Sequence, residues 1–225
     1  MATLVVIDTE CTGFEGSEVI ELAAVTFNDA TCDQYHAKFR LRYKPSGPIN
    51  YGAMATHGLT MKELENCPPS SEAAKDLPQA DYLMGHNIEF DWKQVGSPAS
   101  KLICTYHLSK WLWPDADSHK LTALVLQYVG VNDKTLALVR DAHGALVDVE
   151  LCLILFDRIK EELWLRGLPN DLEAIWKLSE EAKIPEVMPF GKHKGEKIAE
   201  MPRGYKKWLL GQNDVDKYLR IALEK

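Results

Sequence analysis

Apolar positions along the chain follow two rhythms. Leu4-Val5-Val6-Ile7 is an unbroken apolar run rich in β-branched side chains. Thr3–Asp8 therefore reads as a strand covered on both faces. Gly13 and Gly16 punctuate a turn, Glu18–Phe27 reads as a second strand, and Asn28-Asp29 begins another turn. Gln34–Leu41 follows closely enough to make the three an antiparallel meander. Tyr82–Gly85 and Lys101–Cys104 are short apolar stretches that read as further strands.

Beyond the meander the pattern turns helical. Pro45, Gly47 and Pro48 mark a loop, and Pro68-Pro69-Ser70-Ser71 reads as a helix start. Leu121, Leu124, Val125 and Tyr128 repeat at i, i+3, i+4, i+7, one face of a helix. His143–Arg166 is the longest helical segment. Its stripe of Leu146, Val149, Leu153 and Phe156 is expected to pack inward. Leu151, Ile154 and Leu155 make a second apolar side, so this helix is expected to lie between the sheet and other helices. Gly167-Leu168-Pro169-Asn170 breaks the pattern. It sets an expected boundary between a domain of residues 1–168 and a small accessory region, 169–225. Three strands followed by alternating helices and short strands suggest an α/β or a mixed-sheet domain.

Composition narrows the class. The chain has 225 residues, 46% apolar and 26% charged, the profile of an ordinary globular protein. No apolar run reaches the about 18–20 residues that span a bilayer, and Met1–Ile7 is too short for a signal peptide. The expectation is an intracellular, cytoplasmic protein that does not engage membranes. Cys11, Cys32, Cys67, Cys104 and Cys152 are odd in number and widely spaced, with no Cys-x-x-Cys, so they read as reduced, packed thiols. The net charge is −7, but residues 189–211 carry six basic and two acidic side chains. An acidic body thus bears a short basic patch.

Acidic residues interrupt the apolar pattern at three places. Asp8 and Glu10 stand two apart at the end of the first strand, so period-two geometry turns both to one face. Two adjacent carboxylates repel unless a cation or a proton lies between them, and a hard ion such as Mg²⁺ takes oxygen ligands. Asp91 follows the apolar stretch Tyr82–Gly85 in the first turn of a helix, and alone it reads equally well as a helix-dipole partner. His143 and Asp148 stand five apart at the start of the long helix. Asp148, between Val147 and Val149, is a carboxylate in a segment built for burial and needs a partner.

Together these residues carry a resemblance. The matching stretches are Ile7-Asp8-Thr9-Glu10-Cys11-Thr12-Gly13-Phe14, Val19–Val25, His57-Gly58-Leu59-Thr60, His86-Asn87-x-x-Phe90-Asp91 and His143-Gly144-Ala145-Leu146-Val147-Asp148. In that order they resemble the DEDDh (DnaQ-like) exonucleases, the family of the replicative polymerase's proofreading subunit. Within it the chain is most similar to the exodeoxyribonuclease X group. That match rests on Ile103-Cys104-Thr105, Leu112-Trp113-Pro114, Phe190–Gly195 and Pro202-x-x-Tyr205-x-x-Trp208-Leu209.

The resemblance implies a ribonuclease-H-like core with a mixed five-stranded sheet flanked by helices. It implies two Mg²⁺ or Mn²⁺ ions on Asp8, Glu10, Asp91 and Asp148, with Asp8 bridging and His143 as general base. An ordinary imidazole, with a pKa of about 6.5, suits that role near neutral pH. By position, Phe14 and His57 would contact the terminal base, and Glu15 would face solvent or a base edge. The implied activity is 3′→5′ hydrolysis of DNA ends, single-stranded or duplex, to nucleoside 5′-monophosphates by a monomer, with a place in DNA repair. The carboxylates do not distinguish a 2′-OH from a 2′-H, so an exoribonuclease is the first alternative. The second is a catalytically silent nucleic-acid-binding module. In residues 189–211, Phe190, Tyr205 and Trp208 interleave with the cations. That pattern suits either a nucleic-acid grip or a small helical packing module whose Tyr205, Trp208 and Leu209 form its core.

Overall fold

The computed structural model describes residues 2–14, 16–27 and 35–225. Five strands, β1 (Leu4–Cys11), β2 (Val19–Phe27), β3 (Ala37–Arg42), β4 (Tyr82–Gly85) and β5 (Lys101–Cys104), form one sheet in the order β3-β2-β1-β4-β5. β1, β2 and β3 pair antiparallel, as the short connections require, whereas β4 and β5 run parallel to β1. The sheet is the expected mixed five-stranded one. The turn at Asn28-Asp29, Gln34 and Cys32 lie outside the described residues.

β1 is central, and its unbroken apolar run has a direct cause. Leu4 and Val6 enter one core with Ala23, Val25 and Met84, while Val5 and Ile7 enter the opposite core with Leu22, Ala24 and Leu83. The strand runs on to Cys11, so Asp8 and Glu10 lie within it rather than after it. By parity they share the face of Leu4 and Val6.

The helices of the first compact unit are α1 (Tyr51–His57), α2 (Ala73–Asp76), α3 (Glu89–Gln94), α4 (Thr105–Leu112), α5 (Leu121–Leu124), α6 (Asp133–Arg140), α7 (Ala145–Leu165) and α8 (Leu172–Glu181). A 3₁₀ turn at Ser70–Glu72 leads into α2, where the Pro-Pro-Ser-Ser signal stands, and α5 opens into a π-turn at Val125–Val129. α7 packs on β1 and β2 on one side and on α4 and α5 on the other. Its buried face runs through Ala145, Val149, Cys152, Phe156, Ile159 and Leu163, with Leu151 and Leu155 beside it. Leu146, Leu153 and Ile154 are only half-buried, so the inward stripe is rotated from the expected one. Each buried aliphatic or aromatic side chain of that face contributes about 1.5–3 kcal/mol.

Two expectations change. The long helix begins at Ala145, not His143, because His143 adopts a left-handed φ of 74° that no α-helix continues. The chain divides into compact units at Ser179/Glu180 rather than at 168/169. The Gly167–Asn170 break is real, but Leu172 and Ile175 of α8 are buried in the first unit's core and carry the unit past it.

The second unit, residues 180–225, contains α9 (Arg203–Leu210) and α10 (Lys217–Glu224). Its own core is Met188, Ile198, Met201, Leu209, Leu219, Ala222 and Leu223. No helix among the described residues is long and apolar enough to cross a membrane. Cys11, Cys104 and Cys152 are buried, and burial pushes their thiols up to about 12, 11 and 12, consistent with packed thiols.

Candidate active site

Three elements deliver the acidic side chains. β1 presents Asp8 and Glu10 toward α7. The first turn of α7 presents Asp148, and oxygens of Asp8, Glu10 and Asp148 lie within 4.8 Å of one another. Asp91 arrives from α3 by a sharp reversal after β4. Gly85 ends β4 where a Cβ would come within 2.9 Å of Ile88 and 3.0 Å of the Ile7 carbonyl, and Asn87 takes a φ of 69°. Only a small residue, followed by one that tolerates the left-handed region, lets the chain turn here. Asp91 is then fixed across the sheet by Thr9, whose backbone N–H and hydroxyl both donate to Oδ1, at 2.9 and 2.6 Å.

α7 is aimed by a fifth acid. Glu21 on β2 faces Glu10 in the β1–β2 register. It is 1% exposed. One oxygen accepts from Arg42 Nε at 2.7 Å, and the other accepts the Ala145 N–H, at 3.2 Å, at the first residue of α7. Just before that helix the His143 N–H points to Asp148 Oδ1 at 3.5 Å, so the left-handed turn sets the exposed His143 beside the carboxylates.

The electrostatics follow from this crowding. Burial, reinforced by Asp91, Asp148, Glu10 and Glu21, holds the Asp8 carboxyl well above its ordinary value. Burial and then Asp148, Glu21 and Asp91 push Glu10 to about 8. Burial raises Asp91 and Asp148 as well, opposed by the Thr9 bonds in the first case and by His143 in the second. No Lys or Arg pairs with these four acids among the described residues. Converging hard oxygen donors without a counter-charge are the donor set that divalent cations such as Mg²⁺ take, so the residues fit a metal site.

The other candidates fall around this cluster. Phe14 is 86% exposed, with its ring edge-on to Phe90 at 6.2 Å, so it does not pack on its turn. His57 closes α1. Its Nδ1 accepts the Leu59 N–H at 3.0 Å, so the neutral ring carries its proton on Nε2, and burial lowers its pKa. That Nε2 is buried, and an interaction with the Cys11 backbone opposes the effect of burial on the ring. Glu15 lies outside the described residues.

An exonuclease family model, RNase_T, matches residues 5–156, a span that runs from β1 into α7 and contains all four acids and His143. The chain belongs to this exonuclease family. Its Asp8, Glu10, Asp91, His143 and Asp148 stand in the DEDDh order of DnaQ-like members. It is 24% identical to exodeoxyribonuclease 10 of Escherichia coli K12, covering 97% of this chain and 96% of that protein. It is 28% identical to the DNA polymerase III epsilon subunit of Aquifex aeolicus, covering 73% and 83%. Among solved structures, exonuclease X in complex with 5′-overhanging duplex DNA superposes with a TM-score of 0.62 at 23% identity, covering 78% of this chain and 99% of that one. Exonuclease I superposes at 0.59 with 14% identity, covering 79% and 43%. These likenesses place the ribonuclease-H-like fold.

Sequence reasoning missed two residues of the site. Thr9 orients Asp91, and Glu21 links β2 to the start of α7. Glu21 does carry a sequence signal: it is the lone charge in Val19–Phe27, a strand buried along its whole length. Thr9 carries none, because its partner is 82 residues away.

Proposed function

We propose that the protein is a metal-dependent 3′→5′ exodeoxyribonuclease that releases nucleoside 5′-monophosphates from DNA ends. The observation that carries the reading is the convergence of Asp8, Glu10 and Asp148 within 4.8 Å, with Asp91 secured alongside by Thr9. Support for DNA as substrate comes from the names of the relatives, an exodeoxyribonuclease matched over nearly the whole chain and a DNA-bound exonuclease X structure.

Asp8, Glu10, Asp91 and Asp148 would hold two Mg²⁺ or Mn²⁺ ions. Bound there, a metal pair supplies Lewis acidity at the phosphoryl group and neutralises charge on the attacking and leaving oxygens. The protein's own residues do the rest. A ring nitrogen of His143 accepts the proton of the water whose oxygen bonds to phosphorus. The bond from phosphorus to the bridging O3′ breaks, and that oxygen takes a proton from solvent. Thr9 fixes the orientation of Asp91, and Glu21 fixes the start of α7 and with it Asp148.

End recognition falls to Phe14 and His57. Phe14 offers an exposed aromatic face beside Phe90, suited to stacking on a terminal base of any identity. His57, its ring oriented by the Leu59 N–H and the Cys11 backbone, presents a half-buried imidazole to the terminal nucleotide. The test is to offer 5′-labelled single-stranded DNA, duplex DNA and RNA with Mg²⁺ and again with chelator. A ladder shortening from the 3′ end of DNA, abolished by chelator, is expected. A ladder on RNA alone would move the assignment to an exoribonuclease, and no ladder on any substrate would leave a silent binding module.

A further inference from the structure

The second compact unit, residues 180–225, is not needed to build the carboxylate site, and its surface combines two features. Five cations, Lys192, Lys194, Arg203, Lys206 and Lys207, form no ion pair among the described residues, while Lys197 pairs loosely with Glu200 at 3.7 Å. Among them stand large rings that the unit's core does not absorb. Leu209 is 3% exposed and belongs to the core, whereas Trp208 is 56% and Phe190 48% exposed. The alternatives left open by the sequence thus divide along α9, where Leu209 packs and its neighbour Trp208 does not.

The rings form a supported row rather than scattered contacts. Tyr205 lies 4.4 Å from His193 on one side and 5.4 Å from Trp208 on the other, between ring centroids. The Phe190–Gly195 loop is pinned beneath by an antiparallel bridge between Val187 and Lys197 and by the Gly195 N–H to Met188 carbonyl bond, at 2.8 Å. Gly191, at φ 71°, brings its backbone against Tyr205, where an added Cβ would stand 3.3 Å from the hydroxyl. Phe190 and Lys192 flank that glycine and so border the ring row.

We propose that this face binds an unpaired DNA strand, with Phe190 and Trp208 stacking on bases and Lys192, Lys194 and Lys207 on phosphates. The choice of DNA rests on the function proposed above; the choice of a single strand does not. Exposed aromatic faces stack on bases that are not already stacked in a duplex. Charge complementarity supports a polyanion. Residues 189–211 carry +4 within a chain of net −7, so attraction of a phosphate backbone has to come from such a local patch. The unit is then a second grip on the strand, separate from the chemistry.

The experiment uses the full chain in chelator, where no cleavage occurs, and measures anisotropy of a fluorescent dT20 across salt concentrations. Phe190→Ala with Trp208→Ala is expected to weaken binding by at least roughly fivefold per ring, with the salt slope unchanged. Trp208→Phe, which keeps a stacking face, is expected to retain binding. Lys192→Gln with Lys194→Gln and Lys207→Gln is expected to flatten the slope of log K against log salt by about 0.7 per lysine. A blunt duplex is expected to ignore the ring change. Wild-type dT20 affinity and slope in both variants, with unchanged circular dichroism and melting, would overturn the proposal. Cleavage in Mg²⁺ is scored separately. A chain that cuts DNA while ignoring both changes sinks this inference alone, and one that binds dT20 through this face but cuts nothing sinks only the exonuclease reading.

Discussion

Thr9 gives both its backbone N–H and its hydroxyl to one oxygen of Asp91, at 2.9 and 2.6 Å. β1 thereby positions a carboxylate that belongs to α3. The bonds also favour the ionised form, since both pull the Asp91 pKa down against the larger effect of burial. Thr9→Val keeps shape and β-propensity but deletes the hydroxyl. A hydrogen bond to a charged group is worth about 1.5–3 kcal/mol, so kcat is expected to fall roughly 10- to 100-fold. Asp91 loses a bond that lowers its pKa, so the acid limb of the pH–rate profile is expected to move to higher pH. Thr9→Ser is expected to restore both, and a kcat and acid limb unmoved in Thr9→Val would remove this role.

Asp8 sits at the centre of the acidic group, and each of the other four acids raises its pKa. Asp8→Ala is therefore expected to abolish cleavage and to weaken Mn²⁺ binding measured by calorimetry, in a protein whose circular dichroism is unchanged. Asp148→Ala is expected to do the same. A folded Asp8→Ala protein that kept most of its activity would exclude the metal assignment.

Much of this site is legible in the sequence because it obeys local periods. Asp8 and Glu10 share a face because side chains alternate along β1, and Leu4 and Val6 show which face that is. Less legible is whatever depends on tertiary contact. Thr9 reads as an ordinary strand threonine until α3 is folded against it. The unit boundary moves past Gly167 because Leu172 and Ile175 find apolar partners in the first core. His143 reads as helical because its neighbours are, and only the left-handed φ places it in the turn before α7.

The same crowding makes a stability prediction. Asp8, Glu10, Asp91 and Asp148 all have raised pKa values, so without metal the folded state binds more protons than the unfolded chain. The stability these four groups contribute in the chelated protein is then full below the ordinary carboxylate range and falls as pH rises from about 4. For Glu10 the loss continues through about 8. Melting temperature in chelator is expected to drop between pH 5 and 8, and the increment gained on adding Mg²⁺ to grow over the same window. Asp8→Asn, which removes one charge, is expected to raise the chelated melting temperature and flatten its pH dependence. A chelated protein whose melting temperature rose from pH 5 to 8 would contradict this account.

His143 combines a strained backbone with an exposed imidazole beside Asp148, and the two can be separated. Its φ of 74° lies in the region that non-glycine residues pay roughly 1–2 kcal/mol to enter. Glycine enters freely but gives up about 0.5–1 kcal/mol of chain entropy on folding. His143→Gly is therefore expected to melt at or slightly above the wild-type temperature, while losing the roughly 10²- to 10⁴-fold rate contribution of a general base. His143→Ala is expected to lose the same rate factor and to melt lower than His143→Gly, because alanine keeps the steric cost. If the imidazole were present only to shape the turn into α7, the glycine variant would keep its single-turnover rate. That result would reassign proton acceptance to another group.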